Sequence, residues 1–263
     1  EGLDVVVVQS GIGKVNAAMC TQILCDCFGV THILNTGIAG SLCADLDIAD
    51  MVISEDVIHH DFDLRFWGRP VGQVPGMDVT AFPADEMLKN MALEAAEVVN
   101  AGHNRTGRIA SGDQFICQKS QKDKIIADTN ALCAEMEGAA IAQTAYRNGI
   151  PFVILRAISD KADNSAEMDY PTFEALAAQR CAQVTMNLAK IPLPGAVISC
   201  AGIIGNANAF LAMLMIGVGF KLHGAAGQTG KIIRILLLRY GISVLLALLC
   251  WFVLPFELDV RQA

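Results

Sequence analysis

The sequence predicts an α/β domain followed by an apolar tail, and three observations support this prediction. Through the first 190 residues, short apolar runs alternate with turn glycines and helical segments, which is the pattern of a sheet covered by helices. The run from Pro151 to Asp160 is almost continuously apolar, as expected for a buried strand. Most charges, 14 of the 19 Lys and Arg and 25 of the 27 Asp and Glu, precede Pro192. The chain therefore divides into an acidic front part and an apolar tail.

The elements of the front part follow from local composition. Runs rich in valine, isoleucine and leucine predict strands at residues 3–9, 31–36, 50–57 and 151–160. Apolar residues at helical spacing predict helices at residues 14–28, 86–99, 123–130, 135–147 and 173–189. The segment 59–76, which is rich in glycine, proline and aromatic residues, is predicted to be a loop.

A proline-rich segment separates the two parts of the chain. Pro192 and Pro194 interrupt helix propagation, so we place a linker at 191–196 between a domain at 1–190 and a fragment at 197–263. In the tail, residues 196–220 and 240–256 carry no charge, and each run approaches the roughly 20 residues that cross a bilayer. The tail is therefore predicted to form two membrane-spanning helices.

Composition also limits the partners of the front part. Its excess of Asp and Glu argues against nucleic acid, because phosphate binding requires clustered Lys and Arg. The cysteines show no paired Cys-x-x-Cys spacing, so we expect no zinc site, and Cys25 and Cys27 are expected to be small buried hydrophobic residues. No secretory signal opens the sequence. We expect a reducing, cytoplasmic location for the front part, with the whole chain membrane-associated through the tail.

Two short motifs allow alternative interpretations. Gly11-x-Gly13-x-x-Asn16 lacks the third glycine of a dinucleotide fingerprint and the Gly-Lys-Ser/Thr of a P-loop, which favours a structural tight turn. The cluster His59-His60-Asp61-x-Asp63 could bind a metal ion, but a solvated polar loop is the more ordinary outcome for such a composition.

Asp160 follows Ser159 at the end of the predicted strand. Ligands of open α/β folds lie at the carboxyl ends of strands, so this carboxyl group stands where chemistry is expected. A carboxylic acid in a closed apolar pocket has its pKa raised by burial and can keep its proton near neutral pH. Asp160 is therefore a candidate general acid.

Four segments occur in a fixed order along the front part: Asn-Thr-Gly-Ile-Ala-Gly at 35–40, Ser-Gly-Asp-Gln-Phe-Ile at 111–116, Ala-Glu-Met-Glu-Gly-Ala at 134–139 and Arg-Ala-Ile-Ser-Asp-Lys-Ala-Asp at 156–163. Together they resemble the purine nucleoside phosphorylase and nucleosidase superfamily, and specifically the bacterial 5′-methylthioadenosine/S-adenosylhomocysteine nucleosidases. The likeness covers about residues 5–190. It implies a three-layer α/β domain with a central mixed sheet and hydrolysis of an N-ribosidic bond, without a cofactor, to release adenine in methionine salvage.

The resemblance also implies a role for each site residue. Cleavage passes through an oxocarbenium-like sugar, and the leaving adenine must accept a proton. Asp160 would donate that proton to purine N7 with Ser159 beside it, and Glu137 would accept hydrogen bonds from both ribose hydroxyls. The other contacts would come from Met136 on the ribose, Phe115 and Ile116 at the base, Ala39 and Gly40 along the backbone, and Tyr170 at the 5′-alkylthio group.

Two further implications concern assembly and the front end of the chain. The loop with Phe66, Trp67, Val74 and Pro75 resembles the segment that completes a neighbouring subunit's pocket, which implies a homodimer. Family members begin with a strand and an acidic stretch whose glutamate activates the attacking water. This sequence starts downstream of that stretch, so we expect a sheet incomplete at its first strand and a reduced activity.

The tail has its own resemblance. Residues 205–217 and the segment from Arg239 resemble an internal piece of the auxin efflux carrier/malonate permease family.

Three alternatives to a working nucleosidase stay open from sequence. They are a phosphorylase that uses phosphate in place of water, a membrane transport protein with an appended domain, and an inert fusion.

Overall fold

The computed structural model describes residues 5–163 and 166–188, with 166–172 described by their backbone alone, together with the backbone of 214–218. The chain divides into two units, 1–221 and 222–263, and all the described residues belong to the first.

Strands and helices alternate along the described residues. The strands are Val5–Gln9 (β1), His32–Ser41 (β2), Met51–His59 (β3), Phe82–Pro83 (β4), Asn104–Ser111 (β5), Cys133–Glu135 (β6), Phe152–Asp160 (β7) and Leu214–Val218 (β8). The helices are Lys14–Phe28 (α1), Glu86–Val99 (α2), Lys119–Thr129 (α3), Gly138–Asn148 (α4) and Ala166–Leu188 (α5), with a short 3-10 helix at Arg65–Trp67. The fold is therefore of the α/β class that the sequence predicts.

Five strands pair in a closed ring, in the order β2, β6, β5, β3, β7 and back to β2. The β2–β7, β3–β5 and β5–β6 pairs are parallel, whereas β2–β6 and β3–β7 are antiparallel, so the sheet is mixed. β2 lies between β7 and β6, and Gly40 pairs with Asp160 on one side and with Ala134 on the other. This register brings the Asp160 segment and the segment that leads to Glu137 to the same end of β2.

Every residue of β7 is buried. Because successive side chains of a strand point to opposite faces, Ile154 and Ile158 pack in one apolar cluster while Val153 and Leu155 pack in another. Burial on both faces explains why the sequence of this strand is apolar without alternation.

Local signals predict the bounds of two helices well and those of the other three less well, and they predict part of the sheet poorly. α3 begins at Lys119 rather than at 123, α4 at Gly138 rather than at 135, and α5 at Ala166 rather than at 173. α1 and α2 have the predicted bounds, and α2 begins after Asp85, whose side chain accepts a hydrogen bond from Leu88 N at 2.9 Å. β5 is not predicted, because its sequence contains polar residues and a glycine. It is stabilised by pairing with β3 on one side and β6 on the other, which no local pattern shows.

The membrane spans predicted for the tail lie outside the described residues except at 214–218. There the backbone forms β8 between β1 and β2, antiparallel to both, so the prediction of a continuous helix across 196–220 is wrong at these residues. An apolar run alone does not distinguish a helix from a strand that a sheet accommodates. Across 5–163 and 166–188, no helix is both long and apolar enough to span a bilayer.

Candidate active site

Asp160 ends β7 and is 2 % exposed. Its Oδ1 accepts a hydrogen bond from Ala162 N at 2.8 Å, and its Oδ2 accepts one from Ser159 Oγ at 2.9 Å. Ser159 Oγ also lies 3.4 Å from the carbonyl oxygen of Ala39. The predicted residues Ala39, Ser159 and Asp160 are therefore brought into direct contact at the end of β2 and β7.

Gly40 allows this close approach. A Cβ atom at Gly40 would lie 2.7 Å from Asp160 Oδ1 and 2.8 Å from the Cβ of Ala162, closer than real side chains come. The pairing of β2 with β7 also shifts register between Ala39 and Gly40. Any larger residue would displace the carboxyl group, which is the physical reason for glycine at this position.

Glu137 directly precedes α4 and is 2 % exposed. Its Oε1 accepts a hydrogen bond from Gly13 N at 2.7 Å. Gly11 and Gly13 have φ of +83° and +91°, so the tight turn predicted there is confirmed. The turn also delivers a backbone N–H to Glu137, a role that sequence reasoning missed.

A buried ion pair joins β7, which ends at Asp160, to the end of β6, two residues before Glu137. Arg156 of β7 is fully buried, and its Nε and Nη2 donate to Oε2 of Glu135, with Nε at 3.1 Å. Glu135 also accepts from Ser111 Oγ and from the backbone N–H groups of Glu137 and Gly138, at 3.1 Å and 2.8 Å. Sequence reasoning missed this role of Glu135 and Arg156, although a lone arginine inside an apolar strand was a signal.

The surroundings shift the pKa values of Glu135 and Glu137 in opposite directions. Burial favours the neutral form of Glu135, but Arg156, Ser111 and the N–H of Gly138 hold its pKa below the ordinary value. Burial, followed by the negative charge of Glu135, raises the pKa of Glu137 to about 8. The surroundings of Glu135 therefore favour its ionised form, whereas those of Glu137 favour its protonated form.

The residues predicted at the base lie on the loop after β5. Phe115 is 44 % exposed, whereas Ile116 is buried in an apolar cluster that includes Leu42 and Ala162. Ala162 also donates the backbone hydrogen bond to Asp160, so the apolar cluster that contains Ile116 includes the residue that contacts the candidate acid. Met136 is half-buried beside Glu137. The side chain of Tyr170 lies outside the described residues, although its backbone belongs to α5.

The histidine cluster differs from the solvated loop that its composition predicts. His59 is the last residue of β3, and His59 and His60 are 4 % and 6 % exposed. Burial lowers the pKa of both imidazoles. His59 Nε2 lies 2.9 Å from Gln143 Oε1, and Asp61 forms an ion pair with Lys14 at 2.6 Å. Among the described residues, no group of three or more His, Cys, Asp or Glu side chains converges as metal ligands would.

The raised pKa of Glu137 predicts a pH-dependent stability. A carboxyl group whose pKa rises on folding stabilises the folded state fully below its ordinary pKa of about 4.5, and this contribution is lost as pH rises to about 8. Replacing Glu137 by the neutral isostere glutamine removes this loss. We expect Glu137→Gln to gain stability relative to wild type between pH 5 and pH 8, on the order of 3 kcal/mol.

Urea unfolding at several pH values measures this difference. Glu94→Gln, on the exposed side of α2, is the matched control and should track the wild type. A stability difference between Glu137→Gln and wild type that does not change with pH would contradict the prediction.

Comparison with known proteins agrees with this geometry. The sequence profile of the phosphorylase superfamily matches residues 1–190. The 5′-methylthioadenosine/S-adenosylhomocysteine nucleosidase of Oceanobacillus iheyensis is 43% identical over 187 residues, which cover 71% of this chain and 81% of the relative. The nucleosidase of Treponema pallidum is 37% identical, over 71% of this chain and 78% of its own.

Solved structures give the same result. The Helicobacter pylori nucleosidase with butyl-thio-DADMe-Immucillin-A aligns at a TM-score of 0.66 and 33% identity, over 69% of this chain and 77% of the other. The futalosine hydrolase of the same organism aligns at 0.66 and 35% identity, with the same coverage. The chain therefore belongs to the phosphorylase superfamily and, within it, to the 5′-methylthioadenosine/S-adenosylhomocysteine nucleosidases.

Proposed function

We propose that this chain hydrolyses the N-ribosidic bond of 5′-methylthioadenosine and S-adenosylhomocysteine and releases adenine, a step of methionine salvage. The observation that carries the proposal is the buried Ser159–Asp160 pair, which packs against Gly40 at the end of β2. On its other side β2 pairs with β6, which leads to the buried Glu137. This arrangement offers a carboxyl group for the leaving base and a second one for the sugar.

Asp160 is the proposed general acid. As the bond between C1′ and N9 breaks, its electron pair passes to adenine, and Asp160 gives its proton to N7. The oxygen of a water molecule forms the new bond to C1′, and a proton from that water returns the acid to its starting form. Ser159 and the N–H of Ala162 hold the two carboxyl oxygens in place while the proton moves.

Glu137 is the proposed ribose ligand. Two hydroxyl donors favour the ionised form of a carboxyl group, so nucleoside binding would oppose the effect of burial and lower the pKa of Glu137. Met136 would pack on the sugar. Phe115 would cover a face of the base, and the backbone of Ile116 would contact its edge. Ala39 and Gly40 would contact the nucleoside through their backbone.

Adenine release tests the proposal and separates hydrolysis from phosphorolysis. The purified chain is incubated with 5′-methylthioadenosine, with and without inorganic phosphate, and both adenine and the sugar product are followed. We expect adenine and free methylthioribose at the same rate in both reactions. No adenine would overturn the nucleosidase proposal, and a methylthioribose phosphate formed only with phosphate would identify a phosphorylase.

We also propose that the nucleosidase domain forms a homodimer. Val15, Met19 and Ile23 form an exposed apolar stripe on α1, since they recur every four residues, and Phe66 and Trp67 are 96 % and 70 % exposed. Sedimentation of the full chain should give twice the monomer mass. Replacing Met19 and Ile23 by lysine should shift the mass to the monomer, and a wild-type monomer at micromolar concentration would contradict the proposal.

The cellular location stays a proposal. All seven cysteines in the described residues are free thiols, which supports a reducing compartment for the nucleosidase domain. Attachment to a membrane through 197–263 has the charge-free run at 240–256 as its support. The resemblance of this fragment to a carrier stays a prediction from sequence.

A further inference from the structure

The turn that follows Asp160 has an unusual backbone. Ala162 is fully buried with a φ of +50°, in the left-handed region that residues with a Cβ rarely adopt. Its N–H donates to Asp160 Oδ1, so the strained residue is the one that fixes the candidate acid. Strain of this kind persists only where surrounding contacts hold it.

Two lysines hold this turn. Lys161 Nζ reaches back to the loop between β2 and β3, where it donates to Leu46 O and to Asp47 Oδ1. Lys122, a half-buried residue of α3, donates from Nζ to the carbonyl oxygen of Lys161 at 2.6 Å. The peptide group between Lys161 and Ala162 is thus held through its oxygen by Lys122, while its N–H holds Asp160.

We infer that Lys122 is a positioning residue for Asp160: by binding the Lys161 carbonyl it fixes the peptide plane whose N–H orients the acid. The inference rests on the proposed function, in which Asp160 is the proton donor. A residue outside the four family-like segments would then set the geometry of the reaction, through a contact that only the folding of α3 against the turn creates.

Lys122 also brings a positive charge to the acid. Asp160 and Asp163 lie near its ammonium group, together with Lys161 of the turn and Asp123 of α3, and burial lowers the pKa of Lys122. A nearby cation favours the ionised form of a carboxyl group, so removing it makes the acid easier to protonate. Loss of Lys122 should therefore extend activity to higher pH while it lowers the rate.

Steady-state kinetics of adenine release across pH test the inference in the full chain. We expect Lys122→Met to lower kcat about tenfold with KM within about twofold, because a small displacement of the acid affects the chemical step more than binding. The alkaline limb of its kcat profile should move up by about half a pH unit. Lys122→Arg should recover most of kcat, since it keeps a charged donor.

Lys119→Met is the matched control. It removes an exposed lysine from the same helix, paired with Asp123, and should leave kcat and the pH profile unchanged. A Lys122→Met kcat within twofold of wild type would overturn the inference. A loss of kcat with an unmoved alkaline limb would also overturn it, because it would indicate a merely structural role. If Lys122→Met does not fold, Lys122→Gln is judged by the same two criteria.

Amide hydrogen exchange keeps this inference separate from the proposed function. The Ala162 N–H should exchange at least about tenfold faster in Lys122→Met than in Lys119→Met, whether or not the chain releases adenine. If the wild type releases no adenine, the proposed function fails and the exchange rate alone decides whether Lys122 holds the turn. Equal exchange rates would overturn the positioning role.

Discussion

Replacing Asp160 by asparagine is expected to lower kcat for adenine release by about 10²- to 10⁴-fold, the usual contribution of a general acid. Asparagine has the same shape and can still accept the hydrogen bond from Ala162 N, but its amide cannot transfer a proton to N7. Because the site keeps its shape, KM should change little, and the loss should appear in kcat.

The comparison needs a matched control and an independent check of folding. Asp45→Asn makes the same chemical change at an exposed position in the loop after β2 and should retain the wild-type rate. Thermal unfolding of both variants should match that of the wild type. Turnover by Asp160→Asn within tenfold of wild type would sink the assignment of Asp160 as the proton donor.

Replacing Glu135 by glutamine is expected to lower the free energy of unfolding by about 3–5 kcal/mol. Arg156 is fully buried, and its closest charge compensation is the ion pair with Glu135. A neutral amide would remove the carboxylate that is hydrogen-bonded to the guanidinium group and leave only the more weakly coupled Glu137 near it. The same change weakens the acceptor for the N–H groups of Glu137 and Gly138 at the start of α4.

Urea unfolding of Glu135→Gln, with Glu94→Gln as an exposed control, measures this loss. A double variant with Arg156→Met removes both charges and should be less destabilised than the sum of the two single variants, since neither charge is then left unpaired. A loss below about 1 kcal/mol for Glu135→Gln, or additive single losses, would show that the pair does not couple.

The sequence predicted α1, α2 and the buried strand β7 for clear physical reasons. α1 and α2 have local signals, a turn glycine before one and the Asp85 cap before the other, so their bounds follow from nearby residues. β7 is apolar on both faces, which marks a buried strand and places Asp160 at its end. The roles of the site residues were predicted from the resemblance and stay predictions until the variants are measured.

The misses share a different cause, since each depends on residues far apart in the chain. β5 has a weak strand sequence and is stabilised by its neighbours. His59 and His60 were assigned to a solvated loop, yet β3 extends to His59 and both are buried. Apolar character at 214–218 predicted a helix, whereas pairing with β1 and β2 makes it a strand.

By itself, the sequence determined the α/β class, the family and the position of Asp160 at the end of a buried strand, because these depend on local pattern and motif order. Only the tertiary structure decided what surrounds that carboxyl group. The pairing of β2 with β7 and β6 brings Gly40 against Asp160, and the fold joins Arg156 to Glu135 and Lys122 to the Lys161 carbonyl. These contacts join residues from separate elements, so their geometry exists only once the chain has folded.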